Sequence, residues 1–224
     1  MASPKPAAPL SKIKIVIFDL DGTLVNAYKA VAESINYALR ALDIPAIDDY
    51  TIQRNVGWGE KVLVSRFVPA SQMKRALVIY RRHHKTALKT GVKFLPGALR
   101  TLRVLSKEGI HLAIASNRPS YFTNIILKTL KVRPLFCRVV CADKVARPKP
   151  YADMLQEILR RQKLKPAQAL YVGDMTIDVI TGRRAKVKTV AVTTGSSTRG
   201  ELGKEKPFRI ISNVSQSLAV LGLK

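Results

Sequence analysis

The period of the hydrophobic pattern changes along this chain. Ile15-Val16-Ile17-Phe18 is a short β-branched run and predicts a buried strand. Over 27–42 the apolar residues Val31, Ile35, Ala38, Leu39 and Leu42 return at helical spacing. Asp43-Ile44-Pro45 ends that segment. Three further helices are predicted over 48–55, 60–67 and 71–88, with Ser71 capping the last and Gly57-Trp58-Gly59 as a turn. A helix over 97–107 turns Leu99, Leu102 and Leu105 inward. A regular alternation follows. Strands are expected over 110–115, 138–141, 169–172, 189–192 and 209–211, and helices over 120–130, 151–162, 176–185 and 214–221.

Strand, helix, strand at these spacings predicts an α/β fold with a doubly wound, mainly parallel sheet. One interval breaks the rhythm. A crossover between parallel strands needs one helix, yet residues 25–95 hold several helices and no convincing strand. The economical organisation is an α/β core over 12–25 and 93–224, a small helical domain over 26–92, and a flexible Pro/Ala arm over 1–11.

Composition narrows the class. A chain of 224 residues, 47% hydrophobic, can bury a sizeable core. No apolar run reaches the ~18 residues that span a bilayer, and the opening Met1-Ala2-Ser3-Pro4-Lys5 lacks the apolar centre of a secretory signal. A cytoplasmic protein without a membrane is the expectation. Cys137 and Cys141, four apart on one predicted strand, are poorly placed for a disulfide and read as free buried thiols.

The net charge is +24, and no acidic residue stands between Glu60 and Glu108. Such a field attracts anions, whether phosphorylated metabolites or nucleic acid, or is simply a solvated surface. No nucleic-acid-binding motif accompanies it, and aromatic content is 6%, which offers little for base stacking.

Four groups recur at the ends of predicted strands. They are Asp19 with Asp21, Ser116-Asn117, Lys149 within Arg147-Pro148-Lys149-Pro150, and Gly173-Asp174 with Asp178. Each alone is an ordinary turn, cap or surface residue. Together they gather at the edge where open α/β sheets bind ligands. Two like charges 4 Å apart repel by ~4 kcal/mol at an effective dielectric near ~20. A carboxylate that attacks a phosphate dianion therefore needs cations. Mg²⁺ suits an oxygen donor set, with Asp19 and Asp174 as carboxylate ligands and Asp178 orienting a metal-bound water or Lys149. Lys149 brings fixed positive charge. The Ser116 hydroxyl and backbone N–H groups near Asp21, Gly22 and Asn117 can hold phosphate oxygens, while Asp21 protonates the leaving oxygen.

Asp19-x-Asp21-Gly-Thr-Leu-Val, Ser116-Asn117, Lys149 and Gly173-Asp174-x-x-x-Asp178 resemble, in order, the four motifs of the haloacid dehalogenase superfamily. The resemblance implies a Rossmann-like core and aspartyl-phosphate chemistry. It makes Asp19 the nucleophile and a metal ligand, and Asp21 the general acid/base with its backbone carbonyl on the metal. Ser116, with Gly22 and Asn117, would bind phosphate. Lys149 would do so too and stabilise the phosphoaspartate. Asp174 would hold Mg²⁺, with Asp178 second to it or metal-linked. The insertion lies between the first two motifs, as in the C1-cap subclass, and Phe-Asp-Leu-Asp-Gly-Thr-Leu-Val with Arg-Pro-Lys-Pro is similar to phosphoglycolate phosphatase-like members. Asn26 stands where many relatives carry Asp, outside the four motifs.

The leading expectation is an Mg²⁺-dependent phosphomonoester hydrolase acting on a small phosphorylated metabolite, with a phosphoglycolate-like substrate in front. A sugar phosphomutase of the same superfamily, or a nucleic-acid-binding or nucleotide-directed protein using the basic cap, are the alternatives. Elsewhere, His83-His84 reads as part of a solvated basic helix face, since neighbours on a helix do not share a face. His111 reads as structural, Tyr37, Phe67 and Tyr80 as core, and Trp58 as packed either on substrate or within the cap.

Overall fold

The computed structural model describes residues 12–223, so the expected arm over 1–11 lies outside the described residues. Six parallel strands form the main sheet: β1 (Ile15–Phe18), β4 (His111–Ser116), β5 (Phe136–Cys141), β6 (Ala169–Gly173), β7 (Lys188–Val192) and β8 (Arg209–Ile211). Their order is β5-β4-β1-β6-β7-β8, which puts β1 at the point where the winding reverses. Phe18 pairs with Ile114 on one side and Val172 on the other, so Asp19 emerges between the ends of β4 and β6.

The strands obey the period of two. Val16, Phe18, Leu112, Ile114, Leu170 and Val172 pack on one face, with α5 (Ala98–Lys107), α6 (Ser120–Thr129) and α10 (Gln216–Val220). Ile15, Ile17, Ala113, Ala115, Ala169 and Tyr171 point the other way, onto Met154, Leu155, Ile158 and Leu159 of α7 (Asp153–Gln162). Helix α8 (Thr176–Arg184) follows β6 and packs near it. Both faces are covered, which is why the strands read as continuous apolar runs.

The helices between Val25 and Phe94 build a hydrophobic cluster of their own. They are α1 (Tyr28–Arg40), α2 (Asp49–Asn55), α3 (Glu60–Ser65) and α4 (Met73–Thr90), joined through Val31, Ile35, Leu39, Ile52, Leu63, Val64, Ala76 and Tyr80. The chain leaves and returns through a short antiparallel ribbon, β2 (Val25–Asn26) against β3 (Lys93–Phe94). Two residues per strand are too few to show a period, so sequence pattern does not mark this ribbon.

Several details differ from expectation. Ser71 does not cap α4. It lies inside a 3₁₀ turn over Ala70–Gln72, where Gln72 N–H donates to Pro69 O at 3.0 Å, and α4 starts without a side-chain cap. Helix α9 (Arg199–Lys204) was not foreseen, although Thr198 and Glu201 form a capping box at its start. Tyr37 is 47% exposed instead of core and stacks on His83. Both cysteines are free, but Cys137 is exposed and only Cys141 is buried. His111, at the start of β4, is exposed. Among the described residues, no helix is long and apolar enough to cross a membrane.

Candidate active site

The loops after β1, β4 and β6 carry the acids and cations to one edge. Lys149 reaches from the segment before α7 into the acids. Its Nζ donates to Asp19 Oδ1 at 2.6 Å, to Asp178 Oδ1 at 2.7 Å and to the Tyr171 hydroxyl at 3.2 Å. The Tyr171 hydroxyl donates to the same Asp178 oxygen at 2.6 Å, and Asp178 Oδ2 accepts the Met175 N–H at 3.0 Å. Asp178 thus has both oxygens engaged and fixes the lysine against Asp19.

Asp174 is fully buried, held by the Thr23 hydroxyl at 3.0 Å and the Ser196 N–H at 2.9 Å. Glycine is required around it. A Cβ at Gly22, where φ is +79°, would lie 2.6 Å from Asp174 Oδ2, and one at Gly195 would lie 1.8 Å from it. Carboxylate oxygens of Asp19, Asp174 and Asp178 lie within 4.8 Å of one another. All donors there are hard oxygens and two glycines clear the space beside Asp174, a donor set that fits Mg²⁺.

Burial pushes the Asp19 carboxyl up to about 7, with Lys149 opposing and Asp178 adding to the rise. Asp174 is raised well above the usual carboxylate range by burial, then by the charges of Asp19 and Asp178. Burial disfavours the Lys149 charge, but Asp178 and Asp19 outweigh it and hold the ammonium above its ordinary range. Three buried acids around one lysine leave negative charge that a bound cation would relieve.

Ser116 and Asn117 are both buried. The Ser116 hydroxyl accepts the Arg118 N–H at 3.3 Å, so it stays near the mouth of β4. The Asn117 side chain is committed to scaffolding. It donates to Gly57 O and Lys149 O, each at 3.1 Å, and accepts the Lys149 N–H at 2.9 Å. It thereby ties the 57–59 turn to the loop that carries Lys149. That turn lies over the site, yet Trp58 is 42% exposed and lines an outer hollow with Arg81 and Asp143.

Sequence reasoning missed Arg118 and misplaced His84. Arg118 donates from Nε and Nη2 to the two oxygens of Asp21, both at 2.8 Å. Its Nη1 meets His84 Nε2 at 2.7 Å. Arginine only donates, so Nε2 accepts and the proton of His84 sits on Nδ1, facing Ser34 Oγ at 3.0 Å. His84 is fully buried, stacks on Tyr80 and meets Phe122 edge-on. Burial, then the Arg118 charge, holds its basicity well below the ordinary imidazole range. The signal was available: Ala76, Tyr80, His84 and Ala87–Leu88 form one helical stripe, and all are buried. Reading the adjacent His pair hid that stripe.

A second bridge joins the helical insertion to the core. Arg54 of α2 donates from Nη2 to Glu201 Oε1 at 2.7 Å, and from Nη1 to Ser196 O. Between the two layers lies a cavity of about 40 Å³. Asp19, Asp21, Ser116, Asn117 and Arg118 form its polar side, while Val31, Val56, Leu63, Tyr80 and Phe122 give it apolar walls. Glu60 lines it as well.

Residues 16–192 match the model of the haloacid dehalogenase-like hydrolases. The chain is 32% identical to the phosphoglycolate phosphatase of Rhodospirillum rubrum over 195 residues, covering 82% of this chain and 81% of that protein. It is 27% identical to the phosphoglycolate phosphatase of Escherichia coli K12 over 235 residues, covering 94% and 93%. In structure it is similar to a predicted phosphoglycolate phosphatase from Haemophilus somnus, with a TM-score of 0.89, 25% identity, and coverage of 93% and 98%. The chain therefore belongs to the haloacid dehalogenase-like hydrolase family, among its phosphoglycolate phosphatase-like members.

Proposed function

We propose that this phosphatase hydrolyses small phosphate monoesters through a phosphoryl group carried on Asp19. The observation that carries the reading is the Lys149 ammonium 2.6 Å from the carboxylate of Asp19, which lines the cavity at the sheet edge. A buried nucleophilic carboxylate beside a fixed cation is suited to approach a dianion.

Asp19 attacks phosphorus, and the bond from phosphorus to the alcohol oxygen breaks. Asp21 protonates that leaving oxygen, then takes a proton from the water that displaces Asp19. Water and monoester give alcohol and inorganic phosphate, and Asp19 is restored. Arg118 occupies both Asp21 oxygens in this structure. Asp21 must exchange that contact for the substrate oxygen before it can donate. The Ser116 hydroxyl and the N–H groups near Gly22 and Asn117 hold the non-bridging oxygens, while Asp178 and Tyr171 hold Lys149 in line. Asp19, Asp174 and the Asp21 carbonyl would hold Mg²⁺, which supplies positive charge against the transferring group.

The names of the relatives put 2-phosphoglycolate first in the panel to be tried. Phosphate release should be measured over a set of phosphorylated metabolites, with Mg²⁺ and with chelator. Mg²⁺-dependent release, lost in Asp19→Asn, is expected. Equal release in chelator, or release by Asp19→Asn within about tenfold of the parent, would sink the reading.

A further inference from the structure

Glu60 lines the cavity above Asp19 and takes no part in the proposed chemistry. Glu60, the first residue of α3, has a side chain only 10% exposed. Its Oε1 takes both contacts from Arg81, the Nε contact at 2.9 Å, while its Oε2 is fully buried without a hydrogen-bond partner among the described residues. Arg81 approaches from outside, and its own side chain is 47% exposed. Glu60 lines that pocket beside the apolar walls of Val31, Val56, Leu63 and Phe122, and one of its carboxylate oxygens has no partner among the described residues.

A buried acceptor left without a donor is costly, and the usual remedies are a water or a ligand. A substrate whose phosphate sits at Asp19 would extend its alcohol part toward the insertion's walls, one of which is Glu60. An alcohol part that ends in a donor satisfies Glu60. One that ends in a carboxylate places like charges together in a low-dielectric space, which strongly disfavours binding.

We propose that Glu60 selects the leaving group: the preferred substrate is a small phosphate monoester whose alcohol part carries a hydrogen-bond donor, a hydroxyl or ammonium, and no carboxylate. This rests on the phosphatase reading above and deepens it. It also separates this chain from the substrate in its relatives' names, since phosphoglycolate ends in a carboxylate.

Three esters of nearly equal size make the test: 2-hydroxyethyl phosphate, 2-aminoethyl phosphate and 2-phosphoglycolate. In the parent enzyme with Mg²⁺, kcat/KM for the better of the two donor-bearing esters should exceed that for phosphoglycolate by about tenfold or more. Which of the two is better tells hydroxyl from ammonium. Glu60→Gln keeps the shape and removes the charge. It should compress the ratio about tenfold, mainly through a lower KM for phosphoglycolate. A parent that prefers phosphoglycolate overturns the proposal. So does an unchanged ratio in a folded Glu60→Gln. Should that variant not fold, the parent's ratio decides alone. Hydrolysis of p-nitrophenyl phosphate that depends on Asp19, with no preference among the three esters, fails the Glu60 proposal and spares the phosphatase reading. No Asp19-dependent hydrolysis of any of the four fails both.

Discussion

Arg118 grips Asp21 with two parallel hydrogen bonds of 2.8 Å, while its remaining nitrogen rests on the ring of His84. One guanidinium thus joins the Asp21 carboxylate of the core to a helix of the insertion. The side chains of Arg118 and Asp21 are 7% and 10% exposed. Removing one partner of such a buried pair strands the other. Arg118→Met should therefore cost about 3–5 kcal/mol of stability in denaturant titration. Adding Asp21→Asn should cost much less than the sum of the two single changes, because the stranded charge is gone. Simple additivity would mean that the pair is not coupled.

His84 adds a pH dependence of known sign. Its folded basicity lies well below the unfolded value of about 6.5, chiefly through burial and then Arg118. The unfolded chain takes up a proton there before the folded one does. Its contribution to stability is therefore present above about pH 6.5 and lost as pH falls below it. Asp19, raised to about 7 by burial, works in the opposite direction between its unfolded value and 7, so the comparison must be with a variant. His84→Gln can still accept from Arg118. The stability advantage of the parent over it should shrink by about 1.4 kcal/mol per pH unit below 6.5. A constant difference from pH 7.5 to 5 would show that His84 is not held neutral.

The acid cluster sets stability against function. Asp174 is raised by burial and by its acidic neighbours, so its charge burdens the metal-free fold. Asn fits the same contacts, with its oxygen on the Ser196 N–H and its amide donating to Thr23. Asp174→Asn should raise the unfolding temperature in chelator and erase the gain from Mg²⁺. In the parent that gain should reach about 2.7 kcal/mol at a hundredfold excess over Kd, with the hundredfold used as a rough working point. A parent indifferent to Mg²⁺ would remove the metal from the account.

The basic residues between Glu60 and Glu108 all reach solvent, Arg81 being engaged with Glu60. If they steer anionic esters, kcat/KM should fall as salt rises from ~0.1 M to ~1 M, where the Debye length shrinks from ~10 Å to ~3 Å, with kcat changing less. Arg82→Gln with Lys85→Gln should flatten that slope and spare the contact that Arg81 makes. A salt slope unaffected by these changes would assign the surface to solvation alone.

The sheet was legible because each strand is a short, largely apolar run spaced between helical segments, and β1 and β8 fall on their expected bounds. The acids at the strand ends were legible because the chemistry depends on residue type as well as position. The contacts between layers were not. Arg118 lies two residues after Ser116 and its partners are 97 and 34 residues away, so only the docking of α4 on the loop after β4 reveals them. Glu60 reads as an ordinary first-turn acid of a helix. Its meaning comes from the pocket it faces.

The proposed hydrolysis passes through a phosphoryl group on Asp19. With p-nitrophenyl phosphate, whose leaving group needs no proton, Asp21→Asn should slow breakdown of that intermediate more than its formation, because proton removal from water is lost. Acid-quenched turnover followed by peptide mass spectrometry reads this directly. A phosphoryl group on Asp19 itself is expected in the Asp21→Asn enzyme, and none in Asp19→Asn. Turnover by the parent with no adduct on Asp19 in any enzyme, or an adduct that persists in Asp19→Asn, would contradict it.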